Sequence, residues 1–151
     1  MKMKTICSGM TALFSLAFFS TAALAQMTPV GTWHNIDDKT GEAKAEIRIT
    51  ENTGVLMGRI EKQLRKSAKP DAKCDECKDD RKDKPIVGLE IIRSARKAEG
   101  QEVWEGGKIL DPENGREYGL RLTPIEGGKK LEVRGSIGPF GRTQTWVRAP
   151  Q

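Results

Sequence analysis

Apolar residues in this chain recur with a period of two, and that alternation limits more than any other feature what it can fold into. Ala45, Ile47 and Ile49 alternate with Glu46, Arg48 and Thr50; Tyr118, Leu120 and Leu122 alternate with Gly119 and Arg121; Leu131, Val133 and Ile137 stand opposite Glu132, Arg134 and Ser136. Successive side chains of a strand point to opposite faces, so each run buries one face and wets the other. Between the runs lie Asn52-Thr53-Gly54, Asp111-Pro112-Glu113-Asn114-Gly115, Gly127-Gly128 and Gly138-Pro139. Gly and Asn there permit the positive φ of tight connections, and Pro fixes φ at a turn. Read in order, these signals predict eight strands at roughly 30–35, 44–50, 54–62, 86–95, 102–110, 116–123, 129–137 and 142–148. Short strands joined by tight turns form an antiparallel up-and-down meander. Closing it into an all-β, eight-stranded barrel removes both exposed edges and leaves room for one small ligand. An open sandwich is the alternative.

The first residues follow a different logic. Lys2 and Lys4 precede an apolar stretch from Met10 to Leu24, and Ala23-Leu24-Ala25 supplies the small residues a signal peptidase requires. A retained membrane helix needs roughly 20 apolar residues, more than this stretch has. The expected organisation is a signal peptide over 1–25, cleaved between Ala25 and Gln26, followed by a single barrel domain over 26–151 with no membrane span after cleavage. Cys7 is at the wrong end of the apolar stretch for a lipid anchor. The whole chain carries a formal charge of +5, and loss of Lys2 and Lys4 leaves a small basic excess. Basic and acidic residues are interleaved, as in Lys44-Ala45-Glu46 and Glu61-Lys62. A nucleic-acid surface segregates its positive charge onto one face, so no nucleic-acid partner is expected. Export points to the periplasm.

One segment breaks the rhythm. Glu61 to Lys84 is dominated by charge, carries Pro70, Cys74 and Cys77, and has almost no apolar periodicity after Leu64. Loops of this length in small domains are usually functional lids or mobile segments; a short helix over roughly 63–68 is conceivable. A meander places alternate turns at alternate ends. The Asp37–Gly41 turn, the long loop, the Asp111–Gly115 turn and the Gly138–Gly141 turn therefore share one end, and ligand sites sit in the mouths of barrels.

Cys74 and Cys77 are the cysteines left after cleavage. An even pair in an oxidising compartment reads first as a structural disulfide. A redox centre would need a lowered thiol pKa, and Asp75 and Glu76 between the sulfurs oppose it. No His follows Cys77, so covalent haem attachment is excluded. A zinc site needs two further ligands and the chain offers one His, so neither a metal nor another cofactor is expected. With His34 alone and no nucleophile motif around a Ser, Ser-His-Asp hydrolysis lacks support and no catalytic residue is assigned. The Asp111–Gly115 run lacks calcium-loop spacing, and turn formation explains its residue types.

Gly31-Thr32-Trp33 opens the first strand and Trp146-Val147-Arg148 closes the last. In a closed barrel these strands are neighbours, and Arg148 can stack over the Trp33 ring as a barrel closure. The arrangement resembles the lipocalin and calycin signature. The ordered set Gly31-Thr-Trp33, Asp37-Asp38-Lys-Thr-Gly41, Cys74-Asp-Glu-Cys77, Pro85-Ile-Val-Gly88-Leu, Gly107-Lys-Ile-Leu-Asp111-Pro112, Val133-Arg134-Gly135 and Thr145-Trp146-Val-Arg148 is similar to the secreted bacterial proteins grouped as domain of unknown function 2147. That resemblance covers nearly the whole mature chain. It implies a signal-led periplasmic protein and a lipocalin-like barrel, and it implies no established activity. The expected function is binding of a small, partly apolar ligand, without catalysis, by Trp104, Tyr118, Arg142, Gln144 and Trp146. One bulge near Gly106-Gly107 would flip Trp104 outward. The alternatives are a structural or partner-binding envelope protein with a filled barrel, and, less favoured, a redox enzyme using the Cys74–Cys77 pair.

Overall fold

In a computed structural model, which describes residues 27–150, eight strands form a closed antiparallel barrel in which each strand pairs with its neighbours in sequence and the last returns to the first. The strands are β1 (Gly31–Ile36), β2 (Ala43–Asn52), β3 (Val55–Gln63), β4 (Glu90–Lys97), β5 (Trp104–Asp111), β6 (Arg116–Ile125), β7 (Lys130–Ile137) and β8 (Phe140–Arg148), with a short 3₁₀ turn at Glu126–Gly128 before β7. The expected leader and its Ala25/Gln26 junction lie outside the described residues.

Alternation sets which face is buried. On β2 and β3, Ile47, Ile49, Leu56 and Ile60 point inward, while Glu46, Arg48, Arg59 and Glu61 form the outer face. The outer ladder pairs its charges: Glu46 accepts from His34 and Lys62, and Arg48 pairs with Glu61. Those two hydrogen bonds hold the Glu46 carboxyl below its usual range, that from Lys62 more than that from His34. His34 therefore lies on the outer wall.

β5 carries an irregularity that matters for the interior. Gly106 adopts a φ of 78° and is the extra residue of a bulge, so that Trp104 pairs with Leu122 and Gly107 with Leu120. A left-handed residue of this kind is readily supplied by glycine. The bulge absorbs one residue, so Trp104 and Ile109 both face the inside despite their odd separation.

β4 begins at Glu90, four residues later than the expected 86. Ile86 and Leu89 are apolar because they pack against the core from the loop, and they belong to no strand. Gly88 N–H donates to Ile60 O at 2.7 Å and Ile60 N–H donates to Leu89 O at 3.0 Å, which seats this stretch on the edge of β3. The connection between β3 and β4 thus runs from Leu64 to Leu89. It contains an isolated bridge between Lys73 and Pro85 and no helix; residues 65–68 make a single turn in which Ala68 N–H donates to Arg65 O.

That connection is tied down along its length. Cys74 and Cys77 form a disulfide and are both buried. Arg81, 1 % exposed, pairs with Asp79, donates to Glu117 Oε2 at 2.7 Å and to Glu90 O at 3.0 Å, and so pins the loop to β4 and β6. Arg93 on β4 holds Asp80 at 2.9 Å. The expectation of a lid or a mobile segment rested on the length of the loop; part of its charge forms ion pairs with the barrel, and Ala68, Ala72 and Ile86 border the barrel's interior space.

Candidate functional site: the open end of the barrel

The interior is divided along its axis. Trp33, Ile49, Leu56, Trp104, Leu122 and Leu131 fill one half as a close-packed core. The other half encloses a cavity of about 730 Å³. Its apolar wall comes from Ala45, Ile47, Ile60, Ile109 and Val133, and the loop contributes Ala68, Ala72 and Ile86. Uncharged polar residues are few inside: Asn35, Gln63, Ser67, Tyr118 and Gln144. Charged residues line it too: Lys44, Arg65, Lys69, Asp111, Glu113 and Arg142.

β8 shows how one strand serves both halves. Its inward residues follow in register as Arg142 opposite Gly135, Gln144 opposite Val133, Trp146 opposite Leu131, and then Arg148 opposite Trp33 on β1. Arg142, Gln144 and Trp146 line the cavity and Tyr118 joins them from β6. Trp104 lies outside the lining. It faces inward, but it packs in the filled half beside Leu122, with Lys97 Nζ 5.2 Å from its ring centre. The bulge near Gly106-Gly107 is present, but it turns Trp104 inward, not outward as expected, and neither bulge nor parity tells which half of the barrel the residue occupies.

The rim is an ion-pair network that joins three connections. Arg65 donates to Asp37 at 2.9 Å and to Glu113 at 2.5 Å, and Lys44 meets Glu113 at 3.3 Å. Arg142 pairs with Asp38. Backbone donors from Lys39 and Thr40, then Arg65, lower the Asp37 carboxyl to about 2. Burial raises the Glu113 carboxyl, but Arg65 and Lys44 outweigh that and hold it below its usual range. Asp111 Oδ1 accepts from Glu113 N–H at 2.9 Å and Asn114 Oδ1 from Arg116 N–H, so these side chains act in the turn. Among the described residues no group of three or more His, Cys, Asp or Glu side chains is arranged to hold a metal ion.

The opposite end is sealed. The Arg148 guanidinium lies 4.1 Å from the Trp33 ring centre and donates to Gly128 O, Val30 O and Thr28 O at 2.6, 3.1 and 3.0 Å. Trp33 Nε1–H donates to Pro29 O at 2.7 Å. Gly31 has a φ of 134°, and a Cβ there would collide with the Arg148 guanidinium, so the Gly-x-Trp spacing is a steric requirement of this seal. Burial pushes the Arg148 pKa down.

Exposed apolar side chains stand on the rim: Phe140 is 80 % and Ile137 52 % exposed, flanking the turn between β7 and β8, and both border the cavity. The loop residues Ser67, Ala68, Ala72 and Ile86 escaped the sequence reading, because a path without periodicity gives no facing rule. Asn35 was within reach, since it shares parity with Trp33.

No curated protein matches this chain. Among solved structures, Protein HP1028 from the human pathogen Helicobacter pylori, described as belonging to the lipocalin family, is similar in fold, with a TM-score of 0.70 at 18 % identity over 83 % of this chain and 86 % of that one. The expected barrel of lipocalin-like shape is therefore the fold observed. Among the described residues no helix is long and apolar enough to cross a membrane. The profile of a bacterial family matches residues 31–148, most of the chain, and the chain belongs to that family, described as "Uncharacterized protein conserved in bacteria (DUF2147)".

Proposed function

We propose that this is an exported periplasmic binding protein, not an enzyme, which holds a small, partly apolar molecule in the hollow half of its barrel. The observation that carries this reading is the cavity of about 730 Å³, which lies within the size range of ligand sites and is lined by apolar side chains with a few polar ones. Tyr118, Arg142, Gln144 and Trp146 are the proposed contacts, with Trp104 left to the packed half. The leader-like N-terminus and the Cys74–Cys77 disulfide support an oxidising compartment. Both sulfurs belong to buried residues, which lends no support to thiol exchange with a partner. A filled barrel that docks another envelope protein would account for exposed Phe140, but it leaves the hollow half without a role.

Native mass spectrometry of protein purified gently from the envelope should show a reproducible bound mass. The apo protein should bind the neutral dye N-phenylnaphthylamine, and Ala45→Phe, which takes up part of the cavity, should weaken that binding severalfold while keeping the barrel's circular dichroism. Dye binding of unchanged strength in the folded Ala45→Phe protein, or no binding at all, overturns the reading.

A further inference from the structure

The disulfide closes a turn of four residues, Cys74-Asp75-Glu76-Cys77, and a loop so short restricts the unfolded chain little. Such a bond adds little global stability, and its consequences are local. Pro112 O lies 3.9 Å from Cys74 Sγ. Gly115 has a φ of 68°, and a Cβ there would overlap the backbone carbonyl of Glu76. The Asp111–Gly115 turn between β5 and β6 therefore rests on the backbone of the disulfide turn, at a spacing that only glycine allows.

The two turns meet behind the cavity wall. Asp111, Pro112, Glu113 and Tyr118 line the cavity, and Asn114 donates from Nδ2 to the Tyr118 hydroxyl at 3.1 Å. Ala72 and Ile86, which flank the disulfide turn, line it as well, and Ile86 N–H donates to Ala72 O at 2.9 Å. Arg65, from the start of the same connection, holds Glu113 from the other side. One connection thus grips the β5–β6 turn twice, by an ion pair open to water and by a backbone contact. Asp75 and Glu76 are exposed and contribute little packing. Cys74 is anchored by donating its N–H to Lys84 O and accepting from Asp83 N–H, and the disulfide extends that anchorage to Cys77.

We propose that the Cys74–Cys77 turn is a positioning element for the ligand site: the disulfide holds it as a buttress under the Asp111–Gly115 turn, and ligand affinity depends on it more than folding does. This rests on the cavity being a ligand site. Cys74, Cys77 and Gly115 do not line the cavity; they act through Pro112, Glu113 and Tyr118. Without the disulfide the β5–β6 turn loses its rigid support, and binding has to order it first.

Titration of N-phenylnaphthylamine into the full-length exported protein, oxidised, and into Cys74→Ser with Cys77→Ser tests it, with circular dichroism showing both folded. The dye should bind the disulfide-free variant roughly fivefold more weakly, the scale of a modest loss of pre-organisation. Amide resonances of Glu113 and Asn114 should shift in that variant, while those of Val133 and Gln144 stay in place. Asp80→Asn loosens the same connection at its tie to Arg93, away from the cavity lining, and should leave dye affinity unchanged. Gly115→Ala should weaken the dye as disulfide removal does, and should cost little more when added to it, because the released turn can yield. It also keeps the test open if the disulfide-free protein fails to fold. Equal dye affinity with and without the disulfide overturns the proposal while the cavity reading stands. Equal weakening by Asp80→Asn also overturns it, since any loosening of the connection would then serve. Absence of dye binding in the unaltered protein removes both.

Discussion

At the closed end of the barrel one cation, Arg148, is shared between the Trp33 ring and three backbone carbonyls. At the open end Arg65, Lys44 and Arg142 are met by Asp37, Glu113 and Asp38, all partly in contact with water. The first arrangement puts a half-buried charge against the π face of a fully buried ring and against fixed dipoles. The second puts charges against charges where water and salt compete. The same residue class thus does two jobs. The floor supplies stability, and the rim fixes the path of a connection over the cavity at little energetic gain, leaving it responsive to conditions.

The largest expected effect breaks the floor. Trp33→Ala should destabilise by about 3–5 kcal/mol, as a large core truncation. A double-mutant cycle with Arg148→Ala, followed by urea denaturation, should leave a coupling of at least about 0.5 kcal/mol. Additive effects would mean that the stacked pair does no more than two separate buried residues, and the contrast between the ends would collapse.

Next comes the staple in the long connection. A four-residue disulfide loop constrains the unfolded chain little, so Cys74→Ser with Cys77→Ser should cost less than the ~3 kcal/mol of a 15-residue loop. Alkylation before and after reduction should show Cys74 and Cys77 modified only after reduction. A loss as large as that of Trp33→Ala would shift weight from the floor to the loop.

The smallest effect belongs to the rim. Arg65→Ala should cost at most about 1 kcal/mol, yet it should speed hydrogen exchange at Ala68 and its neighbours, and high salt should mimic it. Acid should act there too. The carboxyls of Asp37 and Asp79 are lowered to about 2, the first by the Lys39 and Thr40 amides, the second by Arg81. Their ordinary value lies near 4, so their stabilisation is complete above roughly pH 4 and fades as pH falls through about 2. Exchange in the loop should therefore rise over that interval before Trp33 fluorescence changes. Simultaneous loss would show that rim and floor unfold as one unit.

The barrel was legible because Ile47, Ile49, Leu120, Leu122, Leu131 and Val133 obey a strict parity and the turns between them use Gly, Asn and Pro where φ demands them. Strand ends in the hairpins shifted by one or two residues. β4 shifted by four because Ile86 and Leu89 are apolar for a reason other than strand pairing: they cover the core from a loop. The candidate site was half legible. Parity on β8 put Arg142, Gln144 and Trp146 on one face, and a meander brought the right connections together. What parity cannot supply is axial position, since shear decides how high a residue stands in a barrel, and Trp104 is the example. Nor can it trace an aperiodic segment whose course is set by Arg81, Arg93 and a disulfide.

The seam between β1 and β8 has a kinetic side. Seven ladders of the meander join strands adjacent in sequence, whereas the eighth joins Trp33 and His34 to Arg148 and Val147 across nearly the whole chain, through two residue pairs. Local hairpins close quickly, and a contact spanning the chain bears the largest loop-closure entropy for the fewest bonds. The ring is thus expected to shut last, after the transition state has gathered the other strands. In that order, weakening the Arg148 clasp leaves the refolding rate nearly unchanged and shows itself as faster unfolding. How long the barrel stays shut once formed is then governed by a single arginine held by three carbonyls and a ring.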